Sequence, residues 1–394
     1  MTNQQISIVL VGMGGYGQIY LERIFSGHYE NVYVTGLVDI APERSRFYQE
    51  VMNQEIPIYH TLEDFYQEQT ADLAIIASPI HLHKSQACLA MEQGSHVLCE
   101  KPATGNPQQL QEMIQTRDRT GKKLAIGFNW SFTNTIQQLK HDILKGTFGR
   151  AISMKSLVLW PRNADYFNRS SWAGKQYSSD GDWIFDSVAN NATAHFLHHL
   201  FYLAGDTMET SASIKELTCE LYRANPIETF DTCAVEIQTT NHVNILYLAS
   251  HAVANEHRPR YKLVFEKAVI HYEPVEEDDQ IVVQWKDGTE TTYEDPEKDH
   301  LAKLDVMLSA MKNDDDSILC GPEAASTHVE AIYAMHQSVP NVPSFPDHLI
   351  HYHPSNKLTT VDGLEGLWKN CYLQFCLPHE LDVPWSSAGE TVTF

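Results

Sequence analysis

The sequence predicts an α/β domain with a doubly wound parallel sheet, followed by an α+β domain with a large, mainly antiparallel open sheet covered by helices on one face. Three observations predict this order. A glycine-rich turn follows the first apolar run, short apolar runs then alternate with helical segments to about residue 128, and long alternating stretches dominate beyond about residue 145. We therefore divide the chain into residues 1–128 and 129–394, with an extended C-terminal arm from about residue 340.

The first predicted element is a buried strand, Ile6-Ser7-Ile8-Val9-Leu10-Val11, that leads directly into the turn Gly12-Met13-Gly14-Gly15-Tyr16-Gly17. The first glycine of such a turn allows a tight bend, the second lets the backbone approach a pyrophosphate, and the third lets the next helix pack closely. The phosphates then meet the positive end of that helix. The pattern predicts a Rossmann dinucleotide site formed by Gly12, Gly14, Gly15, Tyr16 and Gly17.

A second apolar run, residues 32–38, ends in Asp39, which stands 22 residues after Gly17. A carboxylate at about this spacing accepts hydrogen bonds from the adenosine ribose hydroxyls and would repel a 2′-phosphate. The cofactor is therefore predicted to be NAD(H), and the nearby Arg44 keeps NADP(H) as the less favoured alternative.

The predicted sheet continues with further strands that alternate with helices. Strands are expected at residues 72–77, 95–99 and 123–128, and helices at 80–93 and 106–119. Ligands of such sheets lie outside the carboxyl ends of the strands. The residues that follow these strands are therefore candidates for the cofactor edge: Ser78, Pro79, Glu100, Lys101, Pro102 and Asn129, with His83 packed beside them.

The second predicted domain has five alternating stretches, three helical segments and a proline-containing end. The stretches are residues 150–160, 208–222, 232–251, 259–272 and 280–293, and the helices are 187–204, 297–313 and 322–338. An open sheet with one uncovered face commonly pairs with a copy of itself. A homodimer or homotetramer through the sheet is therefore expected.

The composition narrows the classes of partner. The formal net charge of −23 repels polyanions, so nucleic acid is not expected as a partner and a small neutral substrate is favoured. No apolar stretch approaches the length of a membrane span, and no charged-then-apolar leader opens the sequence. The seven cysteines lack C-x-x-C spacing, as expected of reduced structural thiols. We interpret the chain as a cytoplasmic protein without a membrane partner.

Several segments together resemble one known family. They are the glycine-rich turn, Ser78-Pro79-Ile80-His81-Leu82-His83, Gly94 to Pro102, Gly127-Phe128-Asn129, Lys145 to Gly149 and the helix that contains His195. In this order they resemble the glucose–fructose oxidoreductase and inositol dehydrogenase family (Gfo/Idh/MocA). The resemblance implies hydride transfer between nicotinamide and a sugar, inositol or related polyol, with Lys101 and His195 at the reacting carbon.

The chemistry of alcohol oxidation explains why such a pair would serve. A proton leaves the hydroxyl oxygen as a hydride leaves the carbon, so a base must lie within hydrogen-bond reach of that hydroxyl. The imidazole of His195 suits proton exchange near neutral pH. The ammonium of Lys101 would hold the substrate oxygen and stabilise the developing alkoxide.

One position departs from the family pattern. The family usually has an aspartate four residues before this histidine, whereas this chain has Asn191, and His198 replaces a second aspartate three residues after it. An amide can orient an imidazole or bind a hydroxyl, but it supplies no negative charge. Either Asp186 or another acid substitutes for the aspartate, or the base is weaker.

The segment between the first long stretch and the His195 helix is rich in aromatic residues and cations. Such side chains suit a polyhydroxylated ring, although a packed loop explains them equally well. Two groups of histidines, one on the His195 helix and one at residues 348–353, lack the acid or cysteine partners of a metal site, so no metal is predicted. The predicted substrate contacts are Arg169, Trp172, Lys175, Asn191 and His198.

Two alternatives to the dehydrogenase remain open. Some members of the family hydrolyse glycosides by transient oxidation, elimination and re-reduction, which leaves NAD unchanged overall. At least one branch is a transcriptional repressor with the same fold, so a non-enzymatic NAD-binding regulator is the other alternative. The presence of both Lys101 and His195 favours an enzyme.

Overall fold

The computed structural model describes residues 5–273, 279–313 and 317–394. The chain divides into two compact units. The first unit contains the residues up to Asn129 together with His300–Pro322, and the second contains Trp130–Asp299 and Glu323–Phe394. Residues 300–322, which the sequence led us to place in the second domain, therefore belong to the first unit.

The strands are numbered in chain order. The first unit contains β1 (Ile6–Val11), β2 (Val32–Val38), β3 (Ile58–Tyr59), β4 (Leu73–Ile76), β5 (His96–Cys99) and β6 (Leu124–Ile126). The second contains β7 (Ala151–Leu159), β8 (Ile214–Tyr222), β9 (Thr232–Thr239), β10 (Asn244–Ser250), β11 (Arg260–Phe265), β12 (Ala268–Tyr272), β13 (Ile281–Trp285), β14 (Glu290–Tyr293), β15 (Ile350–His353), β16 (Leu358–Val361) and β17 (Val392–Thr393).

The helices are numbered in the same way. They are α1 (Gly17–Phe25), α2 (Tyr48–Asn53), α3 (Leu62–Glu68), α4 (His83–Glu92), α5 (Pro107–Thr120), α6 (Asn134–Leu144), α7 (Ala164–Phe167), α8 (Ala194–Ala204), α9 (Ala302–Asn313), α10 (Pro322–Ser338) and α11 (Leu364–Gln374).

The first unit is built on a six-stranded sheet in the order β3-β2-β1-β4-β5-β6. All neighbouring strands in it are parallel. Every residue of β1 is buried, as expected of a strand covered on both faces. The strand order reverses between β1 and β4, and ligands of such sheets bind at this point, beyond the carboxyl ends of the strands. The predicted doubly wound Rossmann sheet is confirmed.

The returning segment, residues 300–322, is tied to the first unit by hydrogen bonds. The backbone N–H of Ile126, in the edge strand β6, donates to the carbonyl oxygen of Cys320 at 2.8 Å. The hydroxyl of Tyr29 donates to the carboxylate of Asp305 at 2.6 Å. These contacts place helix α9 in the first unit.

The second unit contains a nine-stranded sheet in the order β14-β13-β12-β11-β7-β10-β9-β8-β17. Only the β7–β10 pair is parallel among its described neighbours. The predicted large, mainly antiparallel sheet is therefore confirmed. Each of the last three alternating stretches forms two strands joined by a turn, because a turn interrupts the alternation at residues 240–243, 266–267 and 286–289.

Helices contact both faces of this sheet, whereas the sequence led us to expect them on one face. Successive side chains of a strand point to opposite faces. In β10, the hydroxyl of Tyr247 shares a hydrogen bond with that of Thr193, directly before α8. Leu246 and Leu248 instead pack in a cluster with Trp368 of α11. Helix α11 therefore covers part of the face that was expected to be open.

The predicted helix 187–204 begins seven residues late, at Ala194. Polar side chains bind the backbone of the preceding segment and stabilise turns there. The amide of Asn190 donates to the carbonyl oxygens of Ile184 and Phe185, and the hydroxyl of Thr193 donates to the carbonyl oxygen of Val188. Side chains of this type compete with helical hydrogen bonds, which explains the later start.

The C-terminal segment is not the extended arm that was predicted from about residue 340. It contains the strand pair β15–β16 and helix α11, which carries the fully buried Trp368. The prolines at 340, 343, 346 and 354 all precede this helix, so they restrict only the first part of the segment.

We find no helix among the described residues with the length and apolar composition needed to cross a lipid bilayer.

Candidate functional site

The glycine turn after β1 has the shape of a pyrophosphate cradle. Gly12 has a φ of +92°, and a Cβ there would lie 2.7 Å from the carbonyl oxygen of Ala77. A Cβ on Gly17 would lie 1.9 Å from the carbonyl oxygen of Gly12. A Cβ on Gly14 or Gly15 would meet no atom within 4 Å. Larger residues are thus excluded where the turn contacts protein, and the backbone is open where phosphates would approach.

Asp39 follows β2 and binds the glycine turn directly. One carboxylate oxygen accepts a hydrogen bond from the backbone N–H of Met13 at 2.7 Å, and the other accepts one from Ala41 at 2.8 Å. Each oxygen has a second lone pair for a ribose hydroxyl. This hydrogen bond therefore fixes the acid against the turn, although Met13 and Asp39 stand 26 residues apart.

The loops that follow β4 and β5 are joined by His83. This ring is buried, and its Nε2 and Nδ1 lie 2.8 Å from the carbonyl oxygens of Ser78 and Pro102. Burial lowers the pKa of the imidazole. Pro79 begins the short turn at residues 80–82, and the hydroxyl of Ser78 donates to Gln86 at 2.5 Å. His83 thus links the two loops that form the predicted cofactor edge.

Glu100 is the centre of a buried polar cluster at this edge. Its Oε1 accepts hydrogen bonds from the hydroxyl of Tyr20, at 2.6 Å, and from the ammonium of Lys303. Its Oε2 accepts one from the backbone N–H of Lys101 at 3.3 Å. The Lys303 side chain is completely buried and Glu100 is 8% exposed, so the two charges compensate each other in the protein interior.

Lys303 also holds two other predicted cofactor residues. Its ammonium donates to the side-chain oxygen of Asn129 at 2.8 Å and lies 4.4 Å from the ring centre of Tyr16. The hydroxyl of Tyr16 donates to the same Asn129 oxygen at 3.4 Å. One lysine therefore joins side chains from the glycine turn, the end of β5 and the end of β6.

Sequence reasoning missed Lys303, although a signal was present. The residue lies in the predicted helix 297–313, on the stripe that also carries Leu304, Met307 and Leu308, all of which are buried. A lysine within an apolar stripe is rarely buried unless it has a partner. The partner stands about 200 residues earlier, so the sequence did not identify it.

His195 differs in burial from the other residues of helix α8. Ten of the eleven residues Ala194–Ala204 are buried, and His195 alone is half-buried. Of the three histidines on this helix, only His195 is therefore accessible. His198 is 1% exposed and lies 3.0 Å from the hydroxyl of Ser131. Burial lowers the pKa of His198 well below its ordinary value, with smaller contributions from His328, His199 and Lys140.

The loop before α8 brings three of the predicted substrate residues together around Asp186. The guanidinium of Arg169 donates to this carboxylate at 2.9 Å and lies 4.7 Å from the ring centre of Trp172. The amide of Asn191 donates to the same carboxylate at 2.6 Å. Lys175 lies apart from this group, since its ammonium binds Glu228 at 2.7 Å on the surface.

The structure holds no group of three or more histidine, cysteine or acidic side chains arranged to bind a metal ion within the described ranges.

The family model described as the oxidoreductase family, NAD-binding Rossmann fold, of Gfo/Idh/MocA proteins matches residues 6–128. Among curated relatives, D-glucoside 3-dehydrogenase of Escherichia coli (strain K12) is 37% identical over 78 residues, which is 20% of this chain and 22% of that protein. The 2,7-anhydro-N-acetylneuraminate hydratase of Mediterraneibacter gnavus is 25% identical over 198 residues, which is 50% of this chain and 47% of that protein. The chain thus spans about a fifth to a half of the curated relatives that it matches.

Solved structures show the same fold over most of the chain. The WlbA dehydrogenase of Bordetella pertussis, in complex with NADH and UDP-GlcNAcA, superposes with a TM-score of 0.69 at 20% identity, covering 85% of this chain and 97% of that one. The matched residues contain the glycine turn, the acid after β2 and all six strands of the parallel sheet. Residues 6–128 thus match the NAD-binding Rossmann domain of the Gfo/Idh/MocA oxidoreductase family.

Proposed function

We propose that this protein is an NAD(H)-dependent dehydrogenase that transfers a hydride between nicotinamide and a hydroxyl-bearing carbon of a sugar, inositol or related polyol. The relatives named as dehydrogenases of glucosides and inositols support the substrate class. The observation that carries the proposal is the hydrogen bond between Asp39 and the backbone of the glycine turn, next to open backbone at Gly14 and Gly15.

The residues of the first unit fit this cofactor. The open turn can accept a pyrophosphate, and Asp39 has lone pairs for the ribose. An acid at this position favours NAD(H) over NADP(H), because a 2′-phosphate would meet a negative charge. When bound, nicotinamide supplies the hydride chemistry that amino-acid side chains lack.

Lys101 is the proposed group that binds the reacting oxygen. It follows β5 at the carboxyl edge of the parallel sheet, and its backbone is fixed by Glu100. An ammonium within hydrogen-bond reach of a hydroxyl orients it and stabilises the alkoxide that develops as the proton leaves. Because the ammonium of Lys303 already compensates the charge of Glu100, that carboxylate does not require the ammonium of Lys101 as a counterion.

His195 is the proposed proton acceptor. Its imidazole is half-buried on a helix whose other residues are buried, so the helix fixes its position while leaving the ring accessible. A neutral imidazole can take the hydroxyl proton during oxidation and return it during reduction. The other predicted substrate contacts, Arg169, Trp172, Lys175, Asn191 and His198, remain proposals.

Separate substitution of the two residues tests these roles. We expect Lys101→Ala and His195→Ala each to lower kcat by about 100-fold or more, with NADH affinity changed by less than about threefold. Substrates are found by screening sugars and cyclitols with NAD and with NADP at the absorbance of the reduced nicotinamide. Lys298→Ala and His60→Ala, which change exposed side chains, are the matched controls. Near-normal turnover in both test variants would remove Lys101 and His195 from the mechanism.

A second candidate is an elimination or hydration reaction with no net change in NAD. The similarity to two 2,7-anhydro-N-acetylneuraminate hydratases favours it. Transient oxidation at one carbon acidifies the neighbouring C–H, and this allows a leaving group to depart before re-reduction. Release of sugar from glycosides, or hydration of an anhydro-sugar, without accumulation of NADH would support this reaction over the simple dehydrogenase.

We also propose that the protein is a homodimer or homotetramer and works in the cytoplasm. The sheet face that carries Val264, Val269 and Val282 is only half-buried, which supports pairing through the sheet. All seven cysteines are free thiols, which fits a reducing compartment. Light scattering on the purified protein tests the oligomeric state, and a monomer at micromolar concentration would refute it.

A further inference from the structure

We propose that Cys371 and Cys376, at the C-terminal end of helix α11, are a site of reversible oxidation, where a small neutral peroxide converts the two thiols into a disulfide. Neither cysteine is among the residues that we assign to hydride transfer. Disulfides in reducing compartments are typically transient and form in response to oxidants. The pair therefore gives the chain a second chemistry, separate from that of the proposed dehydrogenase.

The end of helix α11 brings the two cysteines together. Phe375 has a left-handed conformation, with a φ of +58°, and it reverses the chain after the last helical residue. The N–H groups of Phe375 and Cys376 both donate to the carbonyl oxygen of Cys371, the second at 3.2 Å. Side chains at the two ends of the longer hydrogen bond frequently contact each other in helix ends of this type. Two residues that would lie on different faces of a continuous helix therefore face each other.

The two side chains are in contact. The thiol of Cys371 and the sulfur of Cys376 make a hydrogen bond with each other. A disulfide requires two backbone positions that are close together and side chains that point towards each other. The backbone hydrogen bond between the two residues meets the first requirement, and the contact between the sulfurs meets the second.

The two thiols differ in their access to solvent. Cys371 is buried in the same apolar cluster as Trp368, and burial raises its pKa to about 12, so it remains a thiol near neutral pH. Cys376 is half-buried. Burial also raises the pKa of Cys376, and the carboxylates of Glu380 and Glu236 add to this effect. Cys376 is therefore the sulfur that an oxidant reaches first, and its reaction should be faster at higher pH.

The charges near the pair favour an uncharged oxidant. The carboxylates near the two thiols are Glu220, Glu236 and Glu380, and the imidazole Nδ1 of His379 lies 2.8 Å from Glu220. In a chain with a net charge of −23, such a surface repels anionic oxidants such as glutathione disulfide. Hydrogen peroxide is neutral and small, so it meets no such repulsion.

The oxidation takes place in two steps. The thiolate of Cys376 attacks one oxygen of hydrogen peroxide, the O–O bond breaks, and a sulfenic acid forms as the other oxygen leaves with the thiol proton as water. The sulfur of Cys371 then attacks the sulfenic sulfur, the S–S bond forms, and the hydroxide leaves with the Cys371 proton as a second water. Two electrons pass from the sulfurs to the peroxide. Because Cys371 is already in contact, disulfide formation should precede oxidation of Cys376 to the sulfinic acid.

Peroxide treatment of the folded, full-length protein tests the proposal. We expect the loss of two thiols per chain and a disulfide-linked peptide that contains residues 371 and 376 in mass spectrometry, both reversed by dithiothreitol. The rate should rise about tenfold from pH 7 to pH 8, because the thiolate fraction rises tenfold per pH unit below the pKa. Cys88→Ser removes a half-buried thiol elsewhere and is the matched control, which should still give the linked peptide at the same rate.

Substitution of each cysteine separates their roles. In Cys371→Ser the sulfenic acid of Cys376 has no neighbouring thiol to react with, so dimedone should trap it at least about fivefold more than in the unchanged protein. In Cys376→Ser the buried Cys371 should remain reduced. Cys371→Ala takes the place of Cys371→Ser if the polar side chain prevents folding at this buried position.

Three results would overturn the proposal. They are the absence of the linked peptide from the folded protein, the recovery of Cys376 as a sulfinic acid beside a reduced Cys371, and equal trapping by dimedone in Cys371→Ser and the unchanged protein. A rate of oxidation that does not change with pH would refute the role of the Cys376 thiolate. All these measurements are made without a sugar or polyol substrate, so failure of the proposed dehydrogenase activity would not alter them.

Discussion

The charge pair at the cofactor edge of the first unit and a set of imidazoles in the second show two different ways of burying polar side chains. The first unit buries a pair of opposite charges, Lys303 and Glu100. The second buries imidazoles, and burial lowers the pKa of His199, His251 and His336 to about 3. The first arrangement is stable only while both charges are present, and the second only while the rings remain uncharged. Removal of Lys303 and protonation of these three imidazoles should therefore affect different units.

The chemistry of each unit gives a reason for the difference. A buried ion pair holds the cofactor edge in one geometry, since loss of either partner would leave the other charge buried and unpaired. The imidazoles of the second unit surround aromatic side chains, as in the contacts of His199 with Trp130 and Tyr261. Neutral rings add packing area there without a charge that must be balanced.

Acidification is expected to have the largest effect, and on the second unit. The three histidines titrate near 6.5 in the unfolded chain and near 3 in the folded one, so between these values the unfolded state binds more protons. Their contribution is fully present above pH 6.5 and is lost as the pH falls towards 3. Each histidine costs about 1.4 kcal/mol per pH unit, so the three together remove up to about 4 kcal/mol per pH unit.

Tryptophan fluorescence reports on the stability of the second unit alone, because all seven tryptophans lie in that unit. They are at residues 130, 160, 172, 183, 285, 368 and 385. Urea unfolding at pH 7 and pH 5 should show a much lower fluorescence midpoint at pH 5. Binding of NADH, at urea concentrations below this midpoint, reports on the first unit. Equal midpoints at the two pH values would contradict the assignment of buried neutral histidines.

The next largest effect is expected from Lys303→Met, which breaks the charge pair of the first unit. Loss of one partner leaves the Glu100 carboxylate buried without a cation, which costs about 3–5 kcal/mol. The variant should also bind NADH more weakly, because Asn129 and Tyr16 lose the ammonium that joins them. Urea unfolding followed by circular dichroism and NADH titration measures the two effects.

Matched changes show whether the loss comes from the buried charge. Lys298→Met removes a lysine that pairs with Glu294 on the surface, where both side chains are more than 60% exposed, and should change stability by less than about 1 kcal/mol. Glu100→Gln in the Lys303→Met background should recover part of the lost stability, because the unpaired charge is gone. An effect of Lys303→Met no larger than that of Lys298→Met would show that the pair is not what holds this edge.

The first unit could be predicted from sequence almost completely, because its signals are local. The glycine turn, the run before Asp39 and the alternation of strands and helices each occupy a short segment. Family resemblance added Lys101 and the loops around it. The exception is the returning segment, residues 300–322. It carries Lys303, whose partner Glu100 lies 203 residues earlier and is brought close only in the folded chain.

The second unit was predicted only in outline, because its site depends on contacts between separate segments. Alternation identified the sheet, but the start of α8 and the burial of His198 depend on hydrogen bonds made by Asn190, Thr193 and Ser131. The sequence left open whether the missing aspartate is replaced by another acid, such as Asp186, or the base is weaker. The contact of Asp186 with Asn191 follows from the turn at residues 188–193, which the helical pattern did not reveal.

The smallest expected effect comes from replacing a single buried imidazole, that of His199. The ring is 1% exposed, and neither of its nitrogens has a hydrogen-bond partner among the described residues. His199→Leu keeps an apolar side chain between Trp130 and Tyr261 and removes the group that titrates. At pH 7 its stability should lie within about 1.5 kcal/mol of the unchanged protein, since a similar volume is conserved. Between pH 7 and pH 5 the variant should lose about 2 kcal/mol less stability than the unchanged protein, which is the contribution of one histidine with a folded pKa near 3.

His60→Leu, at an exposed position of the first unit, should leave the pH dependence of tryptophan fluorescence unchanged. If His199→Leu follows the same pH curve as the unchanged protein, this imidazole is protonated in the folded state, and the contrast between the two units fails at this ring.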